Sequence, residues 1–289
     1  MIITIDKTSG FCPGVHRAIH KAEKELEQNN ELFSYGSLLH NELEMQRLQT
    51  DGLRLAEKDD ILLLNNKKLL IRAHGEPPET YMLAEKHGVE LIDATCPVVK
   101  RLQQKVRRAA EEMKKVNGQI LIFGKQNHPE VIGLAGNAMG LATVISSAED
   151  LATLDLLRPV RLFSQTTMDK DHYNAFALSL GEEIKKYQSE PDFISYDSIC
   201  DHVTKRFPAL KRFAANADVI IFVSGNESSN GKKLFAICLE VNPKTYFISG
   251  PNELRTAWFE HVRSVGISGA ASTPLWLMEN VADKIKEMN

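Results

Sequence analysis

Three cysteines share a sequence context, and they are the residues from which chemistry is most directly argued. Cys12 lies in "GFCPGVHRAIHKA", Cys96 in "DATCPVVKRLQQKV" and Cys200 in "SICDHVTKRFPAL". Each precedes a valine by three residues, and each is followed by a segment with a helical pattern. Because helix N-termini favour negative charge, thiols placed there would be stabilised as thiolates. The pattern therefore predicts three thiols at or near helix N-caps.

The three thiols could bind a metal cluster, or they could be buried structural residues. Iron–sulfur clusters are held by thiolates, and closed sites use four protein ligands. Three ligands would leave one iron open, which would turn an electron carrier into a Lewis-acid redox catalyst. The chain has no Cys-x-x-Cys pair, which disfavours a zinc ribbon or a thioredoxin-like site. Cys238, within the apolar helical pattern "KKLFAICLEV", is predicted to be a core residue.

The elements that must position these residues are short apolar runs separated by amphipathic helical patterns. The runs are "IITID", "KLLIRAH", "VELIDA", "QILIFG", "PVRLFS", "DVIIFVSG" and "TYFISG". Such alternation is typical of mostly parallel sheets covered by helices, so the predicted class is α/β. Polar segments follow several runs, among them "RAHGE", "GKQNHPE", "SQTT" and "SGNESSN". In parallel sheets this is where ligands bind.

The three cysteine segments also form a weak internal repeat, which predicts the domain organisation. Three α/β modules with one cysteine each would explain their spacing without any long structureless loop. The predicted modules are residues 1–96, 97–195 and 196–289. Coincidence between short segments is the alternative.

Composition excludes several classes of protein. The 289 residues are 43% hydrophobic and 25% charged, with a formal net charge of −3, as in a globular protein. Without a strongly basic block, neither nucleic acid nor a membrane surface is expected as the main partner. The segment "MIITIDKTSGF" lacks the features of a signal peptide, and a cytoplasmic location is expected. In that reducing compartment, cysteines are expected as thiols or metal ligands.

The ordered motifs "GFCPGV", "DATCPVV", "HPEV", "SQTT" and "SSN" resemble the 4-hydroxy-3-methylbut-2-enyl diphosphate reductase family over nearly the whole chain. The resemblance implies reduction of an allylic alcohol diphosphate to isopentenyl and dimethylallyl diphosphate, the last step of the methylerythritol phosphate pathway. It implies three pseudo-symmetric modules around a central [4Fe–4S] cluster with one open iron, bound by Cys12, Cys96 and Cys200. Reduced ferredoxin or flavodoxin would donate the electrons, and a monomer is expected.

The resemblance also assigns roles to other residues. It implies Glu130 as the proton donor, with Thr167 as the relay and Thr166 as the alternative one residue earlier. The substrate-binding residues that it implies are His40, His74, His128, Thr167, Ser228, Ser229, Asn230 and Ser272. Without the resemblance, the serines would be ordinary N-caps, the glutamate an acid favoured at a helix start and the histidines structural or solvated.

Three positions depart from the family pattern. Val203 and Phe207 differ in the third cysteine segment, and Gly231 stands where the family has serine. The changes affect expected substrate hydrogen bonds and the cluster surroundings, but the thiols and the acid are retained. His16 and His20 would share a helix face, and they are expected to be solvated or packing residues.

Two functions remain as alternatives to the reductase. A non-catalytic iron–sulfur sensor or phosphate-binding module could use the same pocket. A structural zinc protein is disfavoured because the ligands are widely dispersed in sequence.

Overall fold

The computed structural model describes residues 1–288, which divide into two compact units. The first unit comprises Met1–Leu55 and Lys205–Asn289, and the second comprises Ala56–Thr204. The first unit is therefore built from both ends of the chain, whereas the second is one continuous segment.

Strands and helices alternate along the chain, and short 3-10 helices take the place of an α-helix in some of the connections. The strands are β1 (Ile2–Ile5), β2 (Leu32–Tyr35), β3 (Leu53–Ala56), β4 (Lys68–Ile71), β5 (Glu90–Asp93), β6 (Gln119–Phe123), β7 (Ala142–Ile145), β8 (Val160–Ser164), β9 (Phe193–Ser195), β10 (Val219–Val223), β11 (Thr245–Ile248) and β12 (Ser264–Gly269). The helices are α1 (Pro13–Asn29), α2 (Glu42–Thr50), α3 (Pro78–Lys86), α4 (Pro97–Lys115), α5 (Pro129–Gly136), α6 (Lys170–Lys185), α7 (Asp201–Ala215), α8 (Ser229–Val241) and α9 (Leu275–Glu287). The short 3-10 helices lie between β3 and β4, β7 and β8, and β11 and β12.

The first unit contains a parallel sheet with the strand order β1-β12-β10-β11. Successive side chains of a strand point to opposite faces, so β10 contributes to two cores. Val219, Ile221 and Val223 pack with α9, whereas Ile220 and Phe222 pack with α8 and the later part of α7. This explains why "VIIFV" is apolar throughout: both of its faces are covered.

The second unit follows the same principle. Its sheet has the parallel order β7-β6-β8-β9, and β4 and β5 form a further parallel pair. Ile120 and Ile122 of β6 pack with α4 and α5, and Leu121 and Phe123 pack with α6.

The predicted fold class is confirmed: residues 1–288 form parallel-sheet α/β modules, three in number. The predicted module boundaries remain a prediction. The structure groups both chain ends in one unit, where β1 pairs with β12. Among the described helices, none has the length and apolar character needed to cross a bilayer.

Candidate active site

The three cysteines lie where their sequence contexts predict, at the starts of helices. Cys12 and Cys96 are the N-caps of α1 and α4, and a proline occupies the first turn in both cases. Cys200 immediately precedes α7. In each case the cysteine carbonyl accepts a hydrogen bond from the amide four residues later, at 2.9, 2.8 and 3.1 Å in chain order. The positions therefore follow from local helix signals.

The side chains of these cysteines are presented differently from that of Cys238. Cys12, Cys96 and Cys200 are partly exposed, and within residues 1–288 the four cysteines form no disulfide. Neither Cys12 nor Cys96 uses its side chain to cap its helix. Cys238 is fully buried in the first unit, and burial raises the pKa of its thiol to about 12. The prediction that Cys238 is a core residue is confirmed.

Glu130 is a buried acid in the first turn of α5. Its side chain is 1% exposed, and its carboxylate accepts hydrogen bonds from Thr166 N at 2.6 Å and Thr166 Oγ1 at 2.9 Å. Burial raises the pKa of Glu130 to about 7, although both hydrogen bonds from Thr166 oppose the rise. The carboxyl group can therefore hold a proton near neutral pH.

The two threonines that are candidates for the relay differ in their contacts. Thr166 hydrogen bonds to Glu130 through its backbone and its side chain. Thr167 Oγ1 instead accepts a hydrogen bond of 2.7 Å from Gln165 Nε2. Neighbouring threonines in a loop have no periodicity that separates them, so the relay remains a prediction with both residues as candidates.

Two predicted histidines meet in the second unit. His128 is the N-cap of α5, and its Nδ1 accepts a hydrogen bond of 3.2 Å from Glu130 N. The ring centroids of His74 and His128 are 5.3 Å apart in an edge-to-face arrangement. Gly75 has a φ of +67°, and a Cβ there would lie 2.6 Å from Gln103 Nε2 of α4. The positive φ therefore favours glycine beside His74, and a Cβ there would also displace the end of the Gln103 side chain.

Backbone hydrogen bonds join the cysteines of the second unit to these residues. Cys96 N donates to Ala73 O, next to His74, at 2.9 Å. Cys200 N donates to Thr166 O, also at 2.9 Å. The structure therefore brings six residues together, and we call them the acid set: His74, Cys96, His128, Glu130, Thr166 and Cys200. All follow the carboxyl ends of β4, β5, β6, β8 and β9.

A second group of predicted residues lies in the first unit. Ser228 is the buried N-cap of α8 and accepts a hydrogen bond of 3.0 Å from Gly231 N. Ser229 and Asn230 follow in the first turn of α8. Ser272 Oγ donates to His40 O at 3.3 Å.

Two further contacts complete this group. Cys12 N donates to Ala271 O at 3.4 Å, and Gly225 packs so closely on His40 that a Cβ would collide with the His40 carbonyl oxygen. The members of this hydroxyl set are Cys12, His40, Ser228, Ser229, Asn230 and Ser272. Hydroxyls, an amide and the N-terminus of a helix are donors that suit phosphate oxygens.

The structure also gives the surroundings of Gly231, Phe207 and Val203. A Cβ on Gly231 would overlap Ser224 Oγ, whose side chain is fully buried after β10. Phe207 packs against a core of the first unit, and Lys233 Nζ lies 4.8 Å above the centre of its ring. The amide of Val203 donates to Cys200 O at 2.9 Å. His16 and His20 are both exposed on α1, as expected for a solvated face.

Sequence reasoning missed a buried ion pair near Cys12. Arg206 Nη1 contacts Asp6 Oδ2 at 2.6 Å, and Arg206 Nη2 donates to Ser268 Oγ at 2.7 Å. Burial alone would raise the pKa of Asp6, but the Arg206 charge and hydrogen bonds from Arg206 and Thr8 hold it below its ordinary value. The only signal in the sequence was an acid at the end of the first apolar run.

Comparison with known proteins gives one consistent result. Residues 3–286 match the sequence model of the family described as LytB protein. A protein of Parabacteroides distasonis is 47% identical over 99% of this chain and 98% of its own length. One from Bacteroides thetaiotaomicron is 46% identical over 98% of this chain and 97% of its own length. Both are named 4-hydroxy-3-methylbut-2-enyl diphosphate reductase.

Two solved structures agree with these matches. One is described as (E)-4-hydroxy-3-methyl-but-2-enyl diphosphate reductase, the terminal enzyme of the non-mevalonate pathway. It has a TM-score of 0.74 at 32% identity, and the match covers 99% of this chain and 100% of that chain. The other, the E-1-hydroxy-2-methyl-but-2-enyl-4-diphosphate reductase from Plasmodium falciparum, has a TM-score of 0.83 at 27% identity and covers 98% and 87%. This chain therefore belongs to the LytB protein family of 4-hydroxy-3-methylbut-2-enyl diphosphate reductases, which are oxidoreductase enzymes.

Proposed function

We propose that this chain reduces 4-hydroxy-3-methylbut-2-enyl diphosphate to isopentenyl and dimethylallyl diphosphate, the last step of the methylerythritol phosphate pathway. Two electrons and two protons are consumed, the allylic C–O bond breaks, and the oxygen leaves as water. The observation that carries the proposal is the buried Glu130 carboxyl, with a pKa of about 7 and two hydrogen bonds from Thr166. Family membership supplies the substrate.

The chemistry of the three partly exposed thiols fits a [4Fe–4S] cluster. Cys12, Cys96 and Cys200 are soft ligands at helix N-termini, where the helix dipole stabilises thiolates. The buried Cys238, with its raised pKa, does not have this character. When bound, the cluster supplies single electrons and an open Lewis-acidic iron.

The hydroxyl set binds the diphosphate in this proposal. Ser228, Ser229 and Asn230 open α8, and its first-turn amides add donors aimed at an anion. Ser272, after β12, supplies another hydroxyl. Histidines 40, 74 and 128 either pair with phosphate as imidazolium or position the substrate as neutral rings.

Glu130 is the proton donor. Loss of hydroxide from carbon is unfavourable, so protonation of the leaving oxygen lowers the barrier. Thr166 is the relay, because its hydroxyl already bonds to the Glu130 carboxylate and can pass a proton towards the substrate. Burial raises the pKa of Glu130 to about 7, so a substantial fraction of the carboxyl groups carries the proton at neutral pH.

The first test measures iron, acid-labile sulfide and visible absorption of anaerobically purified protein beside Cys96→Ser. We expect about four irons per chain in the wild type and loss of the cluster in the variant. Wild type should turn over the substrate with dithionite-reduced methyl viologen, and Glu130→Gln should lose at least about a hundredfold in kcat while keeping its cluster.

Each alternative has its own outcome. Substrate binding that depends on the cluster, without turnover by a competent donor, would favour a non-catalytic sensor. Zinc without sulfide would favour a structural zinc protein. No iron after careful reconstitution would remove the basis of the mechanism.

A further inference from the structure

Helix α4, which begins after Cys96, is basic in a chain whose overall charge is negative. It contains seven basic and two acidic residues, whereas the whole chain has a formal net charge of −3. Its apolar face is buried in the core of the second unit, so the charged residues lie on the opposite face. The charge excess of α4 is therefore concentrated on one surface.

Four of these basic residues form a single row along α4. Arg101, Lys105, Arg108 and Lys115 are spaced by four, three and seven residues, which places them within one narrow sector of the helix. All four are exposed. Glu112 is the one acid in the same sector. We call these four basic residues the basic stripe.

The basic residues beside the stripe on α4 form ion pairs, whereas among the described residues those of the stripe do not. In that row, Lys100 pairs with Asp93 at 2.7 Å and Arg107 with Glu111 at 3.6 Å. Within the part of the chain that the structure describes, no acid lies within ion-pairing distance of the four stripe residues. The stripe therefore has charge that is available to a partner.

The stripe begins close to a proposed cluster ligand. Arg101 follows Cys96 by five residues, or about 8 Å along the helix axis. Protein complexes that transfer electrons have small interfaces and are short-lived, and charge complementarity between the two proteins guides their association. The stripe is a charged helix face that begins near Cys96, a proposed cluster ligand. It could therefore guide a charged electron carrier to the cluster without an apolar contact surface.

We propose that the basic stripe is the docking surface for an acidic one-electron carrier protein of the ferredoxin type. The inference rests on the proposed function, because it assumes a protein donor. Each encounter oxidises one reduced carrier by one electron, so two encounters supply the two electrons consumed for each substrate.

The test compares a protein donor with a small one in the triple variant Arg101→Glu, Lys105→Glu, Arg108→Glu. The protein donor is an acidic plant-type [2Fe–2S] ferredoxin kept reduced by NADPH and ferredoxin–NADP reductase. We expect kcat/KM for ferredoxin to fall at least about tenfold at low salt, with a flatter salt dependence. Turnover with dithionite-reduced methyl viologen should stay within about twofold, since a small dye needs no docking surface.

A matched control separates the stripe from net charge. Lys185→Glu, Lys186→Glu, Lys284→Glu changes the formal charge by the same amount at exposed positions outside α4. It should keep ferredoxin turnover within about twofold of the wild type. A loss equal to that of the stripe variant would overturn the proposal.

A second variant tests whether reversing the charge of the stripe harms the protein itself. Arg101→Gln, Lys105→Gln, Arg108→Gln adds no negative charge and should give a smaller loss with ferredoxin alone. Equal losses with both donors in both triples, or no loss with ferredoxin, would overturn the proposal. The proposal would also be overturned if the stripe variants lost binding to a duplex oligonucleotide while their turnover with ferredoxin stayed intact. The stripe would then be a nucleic-acid-binding surface. Wild type that is inactive even with viologen would instead contradict the proposed function.

Discussion

At the residue scale, the buried environment of Glu130 raises the pKa of its carboxyl group. Its carboxyl is almost inaccessible, and burial outweighs two hydrogen bonds that favour its charged form. Its pKa is therefore raised from 4.5 to about 7. A carboxyl with its ordinary pKa would be ionised at neutral pH and could not donate a proton.

The raised pKa predicts how the rate depends on pH. If Glu130 is the proton donor, as proposed, the donor is protonated below pH 7 and ionised above it. The value of kcat/KM should then be level below about pH 7 and fall about tenfold per pH unit above it. Thr166→Val removes a hydrogen bond that lowers the pKa, so the descending limb should move to higher pH while kcat falls. Viologen-coupled assays from pH 6 to 9 measure both effects. A level profile to pH 9 would exclude Glu130 as the rate-determining acid.

A second residue-scale feature is the shared space of Ser224 and Gly231. Ser224 is fully buried, and its Oγ occupies the volume that a side chain at 231 would need. Ser224 Cβ would itself lie only 2.8 Å from a Cβ at 231. A side chain at 231 would therefore compete with the Ser224 side chain for the same space.

This overlap predicts that substitutions at the two positions are coupled. Gly231→Ser should destabilise the protein by about 1–3 kcal/mol through overpacking and should raise KM, because it disturbs the first turn of α8. Ser224→Gly, Gly231→Ser should recover most of both losses. Urea unfolding and substrate titrations provide the measurements. If the single Gly231→Ser variant were as stable as wild type, the positions would not share space.

At the element scale, the sequence predicted local features such as helix starts and apolar strands, but not contacts between residues far apart in the chain. Proline in the first turn indicates the starts of α1 and α4, two of the three helices that follow a candidate cluster cysteine. All seven predicted strands form. The other five strands that the structure describes, β2, β3, β7, β9 and β12, were not predicted; β9 has only three residues, and glycines interrupt the pattern of β12. The Asp6–Arg206 contact joins residues 200 apart in sequence, and no local pattern indicates such a partner.

That buried pair predicts a large cost for breaking it. Arg206→Met leaves the Asp6 carboxylate buried without its counter-charge, so it should destabilise the first unit by about 3–5 kcal/mol. Adding Asp6→Asn should restore part of this loss, because no charge is then left alone. Lys211→Met is the matched control: its pair with Glu240 is exposed, and the loss should be at most about 1 kcal/mol. Urea midpoints of the four proteins form the test.

The loop that leads from Asp6 to Cys12 provides a second measurement for the same variants. The Asp6 carboxylate accepts from Thr8 N at 2.9 Å, which fixes the start of that loop. Iodoacetamide labelling of Cys12 in cluster-free protein should therefore accelerate in Arg206→Met and not in Lys211→Met. Equal labelling rates would restrict the pair to a role in stability.

At the scale of the whole molecule, the first unit depends on contact between the two ends of the chain. β1 forms the edge of a sheet whose other strands come from the last third of the sequence, and α9 packs on β1. The cysteine repeat indicated modules that follow one another along the chain. It could not show that the first strand joins the last, because pairing over such a distance depends on the tertiary fold.

This arrangement predicts that a substitution in the last helix exposes the first strand. Leu277 is fully buried against the core that includes Ile3 and Ile5, so Leu277→Ala should cost about 2–5 kcal/mol. Amide hydrogen exchange, read by mass spectrometry, should accelerate at residues 2–5 and at β12, and less at β6 in the second unit. Leu275→Ala, on the same helix but 55% exposed, should change neither region. Unchanged protection of residues 2–5 in Leu277→Ala would contradict the packing of α9 on β1, because a cavity in their shared core must loosen both.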